Sequence, residues 1–213
     1  MSALSSIDWE KIPIIDYINV KKHMITDLPD GVTVSTMCAS AKLGTVILYD
    51  NVHSYLSLSS DDILTVKRNA DSIRTLIPKK KKTRRSKKKV KSKKNNNYFY
   101  NQTTVVVRVT HGPCEDLSKE PKINIKLFKN GSIQMSGCKR MDYVNIALNK
   151  IIYRLKQVKG KIEDGKIKEI QFVKSISDLN LNSFKVDMIN SNYGVDLVIN
   201  REKFYNLLVK KKI

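Results

Sequence analysis

The sequence predicts an α+β fold: an antiparallel sheet backed on one face by a long amphipathic helix. Three stretches lead there. Residues 123–128 (INIKLF) and 132–136 (SIQMS) alternate apolar and polar side chains across Lys129-Asn130-Gly131, and an Asn-Gly pair between alternating runs is a strong hairpin signal. Residues 141–156 then place Val144, Ala147, Leu148, Ile151, Ile152 and Leu155 at i, i+3, i+4 spacing, a single apolar stripe that belongs against the sheet. Residues 102–110 (QTTVVVRVT) are β-branched enough to supply a further strand.

The remaining elements follow in order. Ile7, Ile12, Ile15 and Tyr17 give residues 6–22 a helical spacing. Asp30-Gly31 is a turn, and residues 32–38 (VTVSTMC) read as a strand. Residues 46–48 are apolar, and Asp50 is placed to cap a short helix through Leu56, with Val52, Tyr55 and Leu56 on one face. Residues 60–69 form a second strand or turn. Past the long helix, residues 184–190 (FKVDMIN) are a strand, and 197–199 lead into a helix over 200–209. Sliding the chain by 152 residues lays Val34 on Val186, Ile47 on Ile199, Val52 on Phe204 and Leu56 on Leu208. This is an internal repeat whose second copy has its first strand and first short helix. Residues 184–209 are therefore expected to pack on the first lobe or to promote self-association, since an open strand edge invites pairing.

Composition narrows the function classes. The chain has 213 residues, 41% of them apolar, which allows one or two domains with a real core. No run of 18 apolar residues and no basic-then-apolar leader is present, so neither a membrane partner nor secretion is expected. Three widely spaced cysteines, Cys38, Cys114 and Cys138, argue for a reducing, intracellular setting. The formal charge is +20, and residues 79–94 (KKKKTRRSKKKVKSKK) carry twelve cations and no acid, leaving +8 on the rest. Such a block repels itself, so residues 79–97 are expected to be a disordered insertion within a domain. Lys79, Lys80, Lys81, Lys82, Arg84, Arg85, Lys87, Lys88 and Lys89 would meet a polyanion there, or serve as a nuclear-import address.

Strand alternation also yields a candidate surface. Ile123, Ile125, Leu127, Ile133 and Met135 share the face under the helix, as do Thr103, Val105, Val107 and Val109. The opposite face carries Asn124, Lys126, Phe128, Gln134 and Ser136, with Gln102, Thr104, Val106, Arg108 and Thr110. An open sheet face with donors, cations and one phenylalanine on a basic protein suits contact with nucleic-acid bases.

The order of elements, with the segment KINIKLFKNGSIQMSGCKRMDYVNIALNKIIYRL, resembles the TATA-box-binding protein family. The shared run is an aliphatic strand over 125–128 ending in Phe128, the turn Asn130-Gly131, the strand end Ser136-Gly137, basic Lys139, and the helix over 141–155. The divergence, the basic insertion and the Lys, Asn and Ile bias look most like the homologues of large nucleocytoplasmic DNA viruses. The resemblance implies a saddle with one full repeat over residues 31–157, after an N-terminal segment 1–30. A linker and an incomplete second repeat follow over 158–213. It further implies a transcription initiation factor that binds and bends AT-rich double-stranded DNA through the minor groove and recruits RNA polymerase with a TFIIB-like factor. The nucleus or a viral factory in the host cytoplasm would be its place of action.

By the same resemblance Phe128 falls on one wedge position and Gln102 on its partner, with Phe99 nearby. Arg108 falls on a phosphate-contacting arginine, and Val34 and Ile189 lie in the first strands of the two repeats. The base-reading amides fall on Val32 and on or near Asp187, and two aliphatic positions fall on Lys126 and Gln134. A packaging or RNA-binding protein acting through the insertion alone is the rival reading. No phosphate-cradling glycine loop, Ser–His–Asp set or paired carboxylate motif is present, and His111 with Cys114 lacks a second ligand pair. No catalytic residue, metal, cofactor or small-molecule substrate is expected.

Overall fold

The computed structural model describes residues 7–68, 72–78, 101–194, 198 and 200–211. In chain order the elements are α1 Val20–His23, β1 Val32–Leu43, α2 Tyr49–Tyr55, β2 Ile63–Lys67, β3 Ile73–Thr75, β4 Gln102–Arg108, β5 Lys122–Phe128, β6 Ser132–Cys138, α3 Met141–Lys156, β7 Lys159–Glu163, β8 Lys166–Ile170, β9 Leu181–Tyr193 and α4 Arg201–Lys211. Seven strands form one antiparallel sheet in the order β3-β2-β4-β5-β6-β1-β9. The architecture is α+β, a saddle-type sheet with one complete lobe and the opening of a second.

The β5–β6 hairpin turns through Lys129-Asn130-Gly131. The Gly131 amide donates to the Phe128 carbonyl at 3.0 Å, and Asn130 Oδ1 accepts from the Ser132 amide at 3.0 Å. Gly131 has φ +84, the left-handed conformation this loop demands. The Leu43 amide of β1 donates to the Gly131 carbonyl at 2.9 Å, so the turn is also locked against its neighbouring strand.

Helix α3 has no side-chain cap at Arg140, and Arg140 instead forms a two-pronged pair with Asp142. A missing cap costs about 1 kcal/mol. Val144, Leu148, Ile151, Ile152 and Leu155 are essentially sealed from water, at about 1.5–3 kcal/mol each, so tertiary burial decides that the helix forms. Its stripe lies on the sheet face made by Ala39, Val105, Ile125, Leu127, Ile133 and Met135, all buried.

The described part of residues 6–22 does not form the helix that the apolar spacing suggests; only Val20–Lys22, the first three residues of α1, are helical. Pro13 lacks the amide that a helix interior needs, and the segment's polar groups are taken by α3. Asn149 Oδ1 accepts from the Ile15 amide at 2.9 Å and its Nδ2 donates to the Ile15 carbonyl at 2.8 Å. Asn145 accepts from the Tyr17 amide and donates to the same Ile15 carbonyl, both at 3.0 Å. The segment is thus an extended strap along the outside of α3. At its far end Trp9 Nε1 donates to Asp62 Oδ2 at 3.1 Å, beside the buried pair Arg154–Asp62 at 2.7 Å. Lys150 donates to the carbonyls of Asp61, Arg108 and Thr110 at 2.6, 3.0 and 2.8 Å. Burial pulls its pKa down to about 8, so at neutral pH it keeps the ammonium form that uses all three donors.

Asp50 is not the cap of α2. Leu48 occupies that position, and Asp50 sits in the first turn, paired with Arg68 at 2.5 Å. The other end of α2 is closed from the sheet: Arg74 of β3 donates to the carbonyls of Ser54 and Leu56. Between α3 and β9 the chain makes a hairpin, β7–β8, across Asp164-Gly165 with φ of +52 and +73. Its Ile162 and Ile167 face each other and are 76% and 77% exposed.

Strand β9 pairs with β1 along its whole length, which places the restarted repeat against the first lobe. The register carries an internal two-fold. Met37 pairs with Ile189, 152 residues on; Val34 pairs with Ser191 and Ala39 with Val186, and each partner is the other's equivalent at the same separation. Two of the three β-bulges correspond: Ser35 on β1 and Asp187 on β9 are skipped residues 152 apart, whereas the third, at Asn182 opposite Lys42 and Leu43, has no counterpart in β1. Helix α4 begins 152 residues after α2, but buries none of its side chains; Phe204, Leu207 and Val209 are each at least half exposed.

Two glycines test this packing. A Cβ at Gly131 would collide with the carbonyl oxygens of Thr45 and Leu43, whereas at Gly165 it meets nothing. Gly165→Ala should cost about 1–2 kcal/mol, the left-handed penalty alone. Gly131→Ala should cost clearly more, read as the difference in urea midpoint at constant m. Equal losses would mean that the hairpin turn does not abut β1 as described.

Candidate nucleic-acid interface

Helices α2 and α3 and the strap cover one face of the large sheet, and among the described residues the other face is bare. Register places its side chains. Gln102 opposes Phe128, Thr104 opposes Lys126, Val106 opposes Asn124, Lys126 opposes Gln134 and Asn124 opposes Ser136. Directly paired residues share a face, so Gln102, Thr104, Val106, Lys126, Phe128, Gln134 and Ser136 all lie on one open surface. Phe128 and Gln102, on which the resemblance sets the two wedge positions, are cross-strand neighbours at the same end of β4 and β5. Phe99 and the basic residues Lys79, Lys80, Lys81, Lys82, Arg84, Arg85, Lys87, Lys88 and Lys89 lie outside the described residues.

Three assignments are corrected by the geometry. Arg108 alternates onto the open side, but the loop after β4 folds over it and leaves it 2% exposed. Its Nε donates to Glu120 Oε2 and Thr110 Oγ1, both at 2.9 Å, and its Nη1 donates to the Ser60 and Gly112 carbonyls at 3.1 and 2.9 Å. Asp61 adds a second carboxylate at 3.5 Å. The Thr110 hydroxyl and the Arg108 guanidinium together hold the Glu120 carboxyl below the usual carboxylate range. Arg108 is therefore consumed in fastening a loop and cannot reach a phosphate. Val34 is the second correction. The bulge at Ser35 turns it to the helix side, where it packs on the core and lines a cleft with Met37 and Met141. Ile189 is the third: it pairs with buried Met37 and so shares the helix side.

Lys139 is exposed at the β6–α3 corner, at the rim rather than on the face. Lys122, opposite Arg108, spends its ammonium on the carbonyls of Leu117, Ser118 and Glu120. Among the described residues, Lys126, Lys67 and Lys185 project on this side, each exposed. Cys138 is buried beneath the sheet, and burial pushes its thiol up to about 12, so the adjacent Lys139 and Arg140 do not activate it. Among the described residues no three His, Cys, Asp or Glu side chains come together as metal ligands.

The middle of the surface lies beyond the strands whose alternation is legible in the sequence. Thr36, Cys38 and Ser40 of β1 pair with Asn190, Met188 and Lys185 of β9, on the bare side. Ser40 Oγ donates to Asp187 Oδ1 at 3.1 Å, which aims the Asp187 carboxylate onto that side. The 152-residue repeat was the available signal, but two strands with an identical shift do not by themselves say that they pair.

A bare, mostly polar face on a helix-backed antiparallel sheet, organised about an internal dyad, defines the class: a saddle-type sheet protein built from repeated lobes. The comparisons agree with it. Over 198 residues the chain is 33% identical to a protein described as "TATA-box-binding protein-like" from Acanthamoeba polyphaga mimivirus. The aligned part is 91% of this chain and 49% of that protein, so the chain spans about half the length of its relative. The chain belongs to the TATA-box-binding-protein-like family, as a divergent homologue of the viral type. No family model and no solved structure matches it.

The burial of Arg108 has a direct consequence. Arg108→Ala should lower stability by about 2–3 kcal/mol, because Glu120, Asp61 and two carbonyls lose their partner together. Lys126→Ala, on the open face, should stay within about 0.5 kcal/mol of the parent. Urea unfolding of both variants checks this; an unperturbed Arg108→Ala would place the arginine on the surface.

Proposed function

We propose that this protein is a non-enzymatic transcription initiation factor that binds AT-rich promoter DNA in the minor groove and bends it. RNA polymerase and a TFIIB-like factor are its proposed protein partners, and the host nucleus or a viral factory its proposed site of action. The observation that carries the reading is the bare sheet face, with Phe128 flanked by Lys126 and Gln102 and, among the described residues, no helix over it. A phenylalanine there costs little in the free protein and is available to enter an opened base step. Minor-groove kinking of this kind is what the TATA-box-binding protein itself is known for, and unstacking a step costs about a few kcal/mol.

Phe128→Ala should therefore fold normally and bend DNA less. It should also lose more affinity on flexible AT-rich duplex than on stiff GC-rich duplex. Energy transfer between labelled duplex ends measures the bend. A variant that folds and bends like the parent would remove the wedge.

The concentration of twelve of the chain's cations in residues 79–94 favours a second contribution, non-specific phosphate contact by the insertion. Each contact adds about −0.9 to the slope of log affinity against log salt. Deleting residues 79–94 should flatten that slope by several units while leaving sequence preference in place. Loss of essentially all binding would instead assign the protein to packaging, and an unchanged slope would assign the insertion to import or a protein partner.

A further inference from the structure

We propose that a cleft at the C-terminal end of α3 binds a nucleoside polyphosphate. The cleft has a volume of about 870 Å³ and forms where the end of α3, the start of β7, the loop between α2 and β2 and the first residues of the strap meet. These walls belong to the helix side, so the cleft lies apart from the bare face. The inference therefore stands independently of the minor-groove reading. Small-molecule sites occupy about 300–1,000 Å³, a range that includes this cleft.

One wall carries cations without a counter-charge. Lys159 is half-buried there, and its ammonium donates to Ser57 Oγ. An ammonium has three donors, and among the described residues the other two have no partner. No described carboxylate pairs with Lys159. Burial, and then the neighbouring cations Arg154 and Arg74, draw its pKa down. Arg154 is matched by Asp62 at 2.7 Å. Arg74 has no such match: its terminal nitrogens donate to the Ser54 and Leu56 carbonyls, and its Nε is sealed from water with no partner among the described residues. Like charges withdrawn from water with no acid between them repel. A multiply charged anion relieves that repulsion through charge-assisted hydrogen bonds. Ser57, Ser59 and Ser60 line the same cleft and offer hydroxyls to its oxygens.

The remaining lining suits a flat ring. Tyr153 borders the cleft and is 37% exposed, with its ring braced edge-on by Trp9 at 5.3 Å between centroids. Leu76, Leu117 and Val158 add apolar surface. Arg154 Nη1 donates to Gln157 Oε1 at 3.2 Å, which orients that amide and leaves its nitrogen to donate. Nucleobases stack on aromatic side chains whatever their sequence. An inorganic anion engages only the charged wall, whereas a nucleotide engages both.

Titration calorimetry of the full chain with ATP, tripolyphosphate and adenosine tests both walls. ATP should bind about tenfold or more tightly than tripolyphosphate, and adenosine should give no measurable heat. Trp9 is the chain's only tryptophan and touches Tyr153, so its emission should change as ATP saturates the cleft. Lys159→Met should keep the parent's urea midpoint and lose about tenfold or more in ATP affinity, while Lys159→Arg keeps most of it. Tyr153→Ala, an exposed position whose loss the fold tolerates, should bring ATP down to the level of tripolyphosphate. Deleting residues 79–94 removes the general attraction for polyanions and should leave the ATP affinity within about twofold. Equal binding of ATP and tripolyphosphate by the parent means an adventitious ion only. ATP binding that disappears with residues 79–94, or that survives Lys159→Met, puts the anion elsewhere. An ATP preference that survives Tyr153→Ala removes the ring from the cleft. Each of these results overturns the proposal.

Discussion

Burial of α3 against one side of the sheet is the constraint from which the remaining assignments follow. Because strand side chains alternate with a period of two, fixing which residues of β4, β5 and β6 lie beneath Val144, Leu148 and Ile151 also fixes which lie on the bare side. A slip of one residue would bury Lys126 and Gln134 and expose Ile125 and Ile133. The cost of that exchange holds the register, and the register holds the open surface.

The polar groups that the same packing buries are arranged as fasteners. Asp62 ties Trp9 of the strap to Arg154 of α3, Lys150 gathers three carbonyls near the end of β4, and Arg108 closes the loop through Glu120. Each is a buried or half-buried charge with several partners. Each joins segments distant in sequence, which is how a charge earns its place in an interior. The fasteners sit at the helix side and at one end of the sheet. Among the described residues the bare face is left with mostly polar side chains, Phe128, Val106 and Met188, and projecting lysines.

At the centre the pairing of β1 with β9 does something the lobe alone does not. It sets a strand of the second repeat beside its counterpart in the first, in a register where residues 32–41 face the partner's equivalents and the bulges at Ser35 and Asp187 correspond. The two bulges turn Val34 and Val186 toward the helix side, and Asp187 toward the bare one. Beyond that pair the second repeat offers an unpaired edge on β9 and an uncovered α4 among the described residues. Its apolar Phe204, Leu207 and Val209 are exposed, since among the described residues nothing equivalent to α3 lies over them.

By itself the sequence determined the local elements whose signals are short-range: the Asn130-Gly131 hairpin, the period of α3, the alternation that separates Phe128 and Lys126 from Ile125 and Leu127, and the 152-residue restart. Asp164-Gly165 between alternating residues was equally legible as a hairpin, although that stretch reads at first as linker. Tertiary structure alone decided the rest. Residues 6–22 have helical spacing yet the described stretch before α1 is not helical, because Asn145 and Asn149 bond its backbone more favourably than a helix broken by Pro13 would. Arg108 alternates outward yet is buried, because a loop twelve residues downstream brings Glu120 to it. Val34 and Ile189 belong to the right strands and the wrong face. A bulge inserts one residue into one strand, and only the partner strand reveals where the pairing skips.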